Sequence, residues 1–483
     1  MNSSASFHPN RRHLMRSLVG GSLIFPSLLR ELVAQDSAAP NSAVSPSGSG
    51  SSAAIDPLLP KPPHFPAKAK RVIFLFMSGG VSHVESFDPK PKLVADAGKK
   101  IPIHEFQGRK GEFQMFLKRP HWEFKPHGKS GLEVSSLFPQ IATCADDLCV
   151  IRSMKSNHTN HYEATLGIHT GSFTFARPSV GSWISYGLGT ENRNLPSFVV
   201  IAPHTPYAGG QVWGSDFLPG SHQGTRVVPG AEPVANIQRR VASNRLQQLE
   251  LEAMANMNRR HQAARATDPQ LAARMKTFET AFGMQAEMPE VFDLSRETDE
   301  TLGLYGLPRG STQGFAWQCL IARRLAQRGV RFIELIDVGS SNNWDAHGDM
   351  ESHVPLAKNV DQPIAGLLKD LKRLGMLDDT LVVWTSEFGR TPFNADANAK
   401  GREHHHWVYS SWLAGAGVKP GMTYGESDDY GIDVGSHEVH VHDFHATILH
   451  LMGLDHTRLT YRHSGRDYRL TDVHGKVVRD ILA

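Results

Sequence analysis

The sequence predicts an α/β fold built on a doubly wound, mostly parallel sheet, and three observations carry that prediction. Arg71–Met77 is apolar almost throughout, as a strand buried on both faces must be. Similar runs recur at Ser197–Ile201, Val330–Ile336 and Thr380–Trp384. The last two each follow a helical pattern that stops at a glycine, Gly329 and Gly375, the helix–glycine–strand rhythm of a doubly wound sheet.

The elements follow in chain order. Arg11-Arg12 precedes the moderately apolar run Ser17–Leu29, which has the form of a twin-arginine export signal with small residues at Ser37-Ala38-Ala39 for cleavage. The run holds Gly20, Gly21 and Pro26 and is shorter than the roughly 20 residues that span a bilayer. Residues 1–39 are therefore read as a signal peptide directing export, to the periplasm or otherwise outside the cytoplasm. Residues 40–66, rich in Ser, Ala, Pro and Gly, are read as a disordered linker. One domain, 67–483, remains. Within it Leu132–Thr143 is expected as a helix leading into the strand Leu148–Ile151. Residues 234–300 are expected as helices inserted outside the sheet. Phe315–Arg328, Val360–Leu374 and Asp443–Met452 complete the helices.

The composition narrows the function classes. The 483 residues are 40% hydrophobic and 20% charged, enough for a large soluble core. A formal net charge of +3 gives no basic surface for nucleic acid or an anionic membrane. Cys144, Cys149 and Cys319 form no disulfide framework and no zinc knuckle; either the first two pair or all three are small buried hydrophobes. There is no GxGxxG, no P-loop and no GxSxG elbow, so Gly79-Gly80 alone does not argue for phosphate binding.

In a doubly wound sheet, ligands sit beyond the carboxyl ends of the strands. The loops there are rich in histidine and carboxylate. The first holds His83 and Asp88, the next Asp345 and His347. The third holds Glu387 and Arg390, followed closely by His404, His405 and His406. Mixed nitrogen and oxygen donors from separate loops suit zinc, with calcium or magnesium as the harder alternatives. The metal-ligand candidates are His83, Asp88, Asp345, His347, Glu387, His404 and His405. Arg390 is placed on the same rim, where it would stabilise anionic charge. A further cluster, Asn157–Thr165, offers histidines for metal or substrate and hydroxyls for a nucleophile. Thr165, Ser78 and Ser82 are the nucleophile candidates.

The segments FLFMSGGVSHVESFDPK (74–90), WDAHG (344–348), WTSEFGRTP (384–392), GREHH (401–405) and DFHATILHLMGLD (443–455), in that order, resemble a family of exported bacterial proteins known as a domain of unknown function. That family is placed beside the sulfatases in the alkaline phosphatase-like superfamily. The resemblance implies an alkaline phosphatase/sulfatase-like core, one or two divalent metals held by Asp and His, and hydrolysis of a phosphate or sulfate ester of a small molecule or glycan. It implies that Asp345 and His347 match one ligand pair, that Glu387 matches the Asp of an Asp-His pair, and that His404 or His405 matches a late histidine ligand. Phe388 stands where the partner of that Asp belongs, and Met77-Ser78 stands where the first strand would end in Asp. No formylglycine motif is present. The rival expectation is a non-catalytic exported protein that keeps the fold and binds metal or glycan.

Overall fold

The computed structural model describes residues 56–238, 243–263, 269–339 and 343–483. The expected signal peptide, and the linker up to residue 55, lie outside the described residues.

β1 (Arg71–Met77) is the centre of the main sheet because its side chains are buried on both faces. It pairs in parallel with β5 (Phe332–Asp337) on one side and β6 (Thr380–Thr385) on the other, Leu75 lying level with Leu335 and Trp384. Beyond β5 come β3 (Phe198–Ile201) and β4 (Thr225–Val227), both parallel. Beyond β6 comes β7 (Tyr409–Ala414), the antiparallel strand of the sheet, then β2 (Leu148–Lys155) with β8 (Met422–Tyr424) and β9 (Val439–His440) beside it. The expected parallel sheet is present, and the order β2-β7-β6-β1-β5-β3 makes it doubly wound.

The two-residue period of β1 divides the core. Ile73, Leu75 and Met77 pack with α6 (Gly314–Gln327) and α7 (His353–Arg373) on one face. Val72, Phe74 and Phe76 pack with α1 (His161–Thr170), α2 (Val180–Leu188) and α8 (Val441–Leu451) on the other. The segment read as an insertion forms α3 (Asn244–Ala263) and α4 (Pro269–Phe292), before α5 (Asp299–Tyr305). Among the described residues, no helix is long and apolar enough to cross a membrane.

Two expectations are corrected. Leu132–Ser135 is a strand paired with Phe124–His127, followed by a 3-10 turn over Ile141–Asp147, not a helix. Pro139 interrupts the segment and favours extended backbone just before it. Residues 56–66 are not a loose linker: Leu58 is buried, Lys61 N–H bonds the Leu188 carbonyl and His64 N–H bonds that of Gly453. Backbone hydrogen bonds and one buried leucine anchor what composition alone assigns to disorder. The three cysteines are free and buried.

α1 is fixed to the sheet by a polar contact inside the core. His169 Nε2 lies 2.7 Å from Glu334 Oε1, and its Nδ1 lies 2.6 Å from the Thr165 carbonyl. Each side chain is 1% exposed. Removing one partner leaves a buried polar group without its hydrogen bond, so Glu334→Ala is expected to cost roughly 1–3 kcal/mol in urea unfolding. An equal loss in His169→Ala and in the double variant would mark the two as one unit, whereas additive losses would show them independent.

Candidate metal centre

The strands of the doubly wound core run one way apart from β7, so their carboxyl ends share one edge, and five of them contribute to a single cluster. β2 leads to Thr159 and α1, where the Asn160 side chain caps the helix by accepting from Tyr162 N–H and sets His161 in the first turn. β5 leads to the loop bearing Asp345 and His347. β6 ends at Ser386-Glu387 and continues into a short antiparallel ribbon in which Gly389 and Arg390 face His405 and His404. β1 contributes Gly79-Gly80, and β3 the loop that carries Tyr207.

Asp345 is the hub. Its Oδ1 lies 3.3 Å from His161 Nε2, 3.3 Å from His404 Nε2 and 2.9 Å from His347 Nε2. His347 Nε2 is also 2.9 Å from His404 Nε2. The ligating atoms of His161, Asp345 and His404 all lie within 4.8 Å of one another. In a tetrahedral zinc site with bonds of about 2.0–2.1 Å, ligand atoms stand about 3.3 Å apart, the spacing seen from Asp345 to two of these imidazoles.

What stands behind each ring decides the chemistry. His161 Nδ1 is 2.6 Å from Glu387 Oε1, His404 Nδ1 is 2.7 Å from the Thr159 carbonyl, and His347 Nδ1 is 2.8 Å from Glu403 Oε2. Each Nδ1 therefore carries a proton, and in the neutral ring each Nε2 presents a lone pair. Three lone pairs thus converge on an anionic oxygen. His161 Nε2 is buried without a hydrogen-bond partner of adequate geometry. The donor set of His161, Asp345 and His404 fits a divalent metal ion.

The titration shifts express the same demand. Burial would raise the Asp345 pKa, but the nearness of His161 and His404 and the charge of Arg390 hold it far below the usual carboxylate range. Burial would lower that of His161, but Asp345 and Glu387 raise it instead. Glu387 is kept below its ordinary value: burial pushes it up, and the bond and charge of His161 outweigh that. Tyr207 lies flat on the His161 ring, centroids 4.2 Å apart and planes within 7°. Burial and the charge of Asp345 push its phenol pKa up, keeping the hydroxyl a donor.

The sequence candidates separate into groups. Asp345, His347, Glu387, Arg390 and His404 gather here, although Glu387 and Arg390 stand behind the donor atoms. Arg390 is not on the open rim. It is fully buried, donating to the carbonyls of Gly79, Gly80 and Arg402 and to Asp345 Oδ1. His405 points to the other face of the ribbon, where it stacks on His83 at 5.9 Å, and the Nε2 atoms of the two rings lie against the Ile432 and Gly431 carbonyls. Asp88 pairs with Lys90 at 3.0 Å and Ser427 at 2.5 Å. His83, Asp88 and His405 thus lie outside the cluster, because neighbouring strand residues face opposite ways and each of these three already has a partner. Thr165 Oγ1 is buried, without a hydrogen-bond partner, one turn beyond His161, and Ser82 Oγ is likewise buried and unpartnered. Ser78 contributes backbone contacts, its carbonyl accepting from Trp344 N–H.

His161 was visible only as part of the Asn157–Thr165 cluster, and Tyr207 was missed. The usable signal for both was position, since each follows the carboxyl end of a sheet strand.

Glycines let the loops meet. A Cβ at Gly79, where φ is +115°, would lie 2.7 Å from Trp344 N, and a Cβ at Gly401 would lie 1.9 Å from the His347 carbonyl oxygen. Gly79 N–H instead bonds both oxygens of Glu387, at 2.9 and 3.1 Å.

Residues 69–482 match the model of a family described as "Protein of unknown function (DUF1501)". The chain belongs to that family. No curated protein matches this DUF1501 chain. Among solved structures, it is similar to the lipoteichoic acid synthase LtaP from Listeria monocytogenes, at 10% identity over 86% of this chain and 79% of that one, TM-score 0.37. It is similar to the phosphonate monoester hydrolase SpPMH from Silicibacter pomeroyi, at 11% identity over 85% and 76%, TM-score 0.36. It is also similar to a protein in the alkaline phosphatase superfamily from Vibrio parahaemolyticus, at 10% identity over 84% and 72%, TM-score 0.35.

The loop bearing Asp345 hangs on Asp337, whose Oδ2 accepts from Trp344 Nε1 at 2.7 Å. Burial pushes the Asp337 pKa up to about 6, against the bonds from Trp344, Asn343 and Asn359. A carboxyl whose pKa is higher folded than unfolded loses stability as pH rises, here between about 4 and about 6, and stays less stable above. Asp337→Asn keeps an acceptor for Trp344 and removes this cost. It is expected to stabilise the protein by up to roughly 3 kcal/mol at about pH 7.5 and by little at about pH 4, measured by urea unfolding. A gain independent of pH would contradict the assignment.

Proposed function

We propose that this DUF1501 protein is an exported, metal-dependent hydrolase of phosphate or sulfate esters. The observation that carries the metal part is the convergence of three imidazole lone pairs on Asp345, each tautomer set from behind. The ester class is supported by the motif order 74–90, 344–348, 384–392 and 401–405 and its resemblance to the alkaline phosphatase-like superfamily. Export is supported by Arg11-Arg12 and the apolar run behind them.

His161, Asp345 and His404 would hold the ion, with His347 able to join from the rim, where its side chain is 41% exposed. A divalent ion there supplies Lewis acidity and, if zinc, brings the pKa of water toward about 7. The chain's own groups supply orientation. Glu387 and the Thr159 carbonyl fix two rings, and Tyr207 covers one face of His161.

A second reading is a metal- or glycan-binding protein without catalysis. One observation favours it: among the described residues, no serine or threonine hydroxyl hydrogen-bonds to His161, Asp345 or His404.

Metal content of the purified protein and turnover of chromogenic phosphate and sulfate esters separate the two. The hydrolase reading expects turnover in one ester class. It also expects Asp345→Ala and His161→Ala each to lose the metal and to lower kcat/KM by about a hundredfold or more, with Thr165→Ala showing whether that hydroxyl takes part. Bound metal with no turnover in any class favours the binding protein. Turnover that survives both substitutions refutes the placement of the site.

A further inference from the structure

We infer that this centre holds one divalent ion per chain, because the Arg390 guanidinium is already built in beside Asp345 as its second positive charge. This rests on the metal reading above and goes beyond it in fixing the stoichiometry and in giving Arg390 its role. Three carboxylates, Asp345, Glu387 and Glu403, lie at the centre, and a second ion would need one of them to be free; Glu403 Oε2 is engaged by His347 Nδ1 and by Gln107 Nε2, each at 2.8 Å.

Glu387 is not free. Its side chain is 0% exposed, and its oxygens are met by Gly79 N–H at 2.9 and 3.1 Å, by His161 Nδ1 at 2.6 Å and by Ser386 Oγ at 3.0 Å. A carboxylate offers about four acceptor directions, and both oxygens of this one are already engaged, Oε1 by His161 Nδ1 and both by the shared Gly79 N–H. Glu387 therefore orients His161 and does not coordinate.

Asp345 is partly committed as well. Arg390 Nη2 lies 2.6 Å from its Oδ1. The guanidinium cannot swing aside, because Nε bonds the Gly80 carbonyl at 3.0 Å, Nη1 the Arg402 carbonyl at 3.3 Å and Nη2 also the Gly79 carbonyl. A Cβ at Gly80 would lie 3.2 Å from Arg390 Nε, so the β1 loop closes tightly over the group.

Charge gives the same answer. The carboxylates of Asp345, Glu387 and Glu403 and the guanidinium leave a net charge of minus two. One divalent ion makes the centre neutral, and two would make it plus two beside the fully buried Arg390, which is costly. The other nearby imidazoles, His83 and His405, lie on the opposite face of the ribbon with Nε2 on backbone carbonyls, and among the described residues they belong to no group of three potential ligands. Among the described residues, a single group of three potential ligands gathers within 4.8 Å.

The test is a metal titration of the full chain, stripped with chelator and reloaded with zinc or cobalt(II). A weak competing chelator keeps surface histidines empty. Retained metal is counted by mass spectrometry, and the cobalt series is followed by its visible absorption. One ion per chain is expected, in a single absorption endpoint. Glu387→Ala should also saturate at one, with affinity lowered about 10–100-fold, as for loss of a group that orients a ligand. His161→Ala should bring the count to zero. Two ions in the native chain, falling to one in Glu387→Ala, would overturn the inference while leaving the metal reading intact. No retained metal in the native chain would take both down. The count on the native chain decides the matter even if a variant misfolds.

Discussion

A carboxylate facing three imidazole lone pairs is electrostatically incomplete, and much of the architecture around Asp345 serves to keep it so. Left alone, the rings would turn a protonated nitrogen toward the anion. They are prevented because each Nδ1 proton is already engaged, by Glu387, by the Thr159 carbonyl and by Glu403. Arg390 relieves part of the charge from below, and the remainder asks for a cation from outside. Acid–base chemistry and metal binding are alternative ways of meeting that demand, which is why His161 is drawn toward the protonated form while Asp345 resists protonation.

The fold brings this about by aligning strand ends. β1, β2, β3, β5 and β6 each deliver a short loop to one edge, and the loops come closer than side chains ordinarily allow. Gly79 and Gly401 are the points of contact, one against the backbone of Trp344 and Asp345, the other against the His347 carbonyl. Arg402 N–H then bonds the Ala346 carbonyl, tying the strand that bears His404 to the loop that bears Asp345. Below the edge, His169 and Glu334 hold α1 to β5, so the helix that presents His161 is braced at both ends.

Much of the fold was legible because strand burial and glycine stops are local properties. β1, β5, β6 and the helices α6 and α8 sit where periodicity placed them, and α7 ends as expected but begins at His353, seven residues before Val360. The errors arose where a local pattern was overruled by context: Leu132–Ser135 pairs with a strand the pattern did not reveal, and residues 56–66 dock through backbone bonds that composition does not record. For the centre, sequence identified the correct loops but not which residue of each would point inward. His404 and His405 are chemically identical, and only pairing with Gly389-Arg390 sends one toward Asp345 and the other toward His83. Glu387, expected as a ligand, and Arg390, expected on the rim, both lie beside Asp345 with their polar atoms already taken, which a sequence cannot show. His161 escaped because it lies on a helix with no motif of its own, and it became visible only when Glu387 was seen behind it.

That last relation explains how this chain departs from the pattern it resembles. In an Asp-His pair both side chains would reach forward as ligands. Here the pair is Glu387-Phe388. The longer glutamate folds back onto Gly79 N–H and Ser386, and the Phe388 ring lies 4.8 Å from both His161 and His404. The two positions have become frame: one sets a tautomer, the other fills the space behind the donor atoms and bounds their rotation. The imidazole behind which Glu387 stands comes from α1, whose first turn is capped by Asn160 and whose last is fixed by His169. The place of His161 beside Asp345 therefore depends on the packing of its helix, so the cluster and the buried His169–Glu334 pair are parts of one mechanical arrangement.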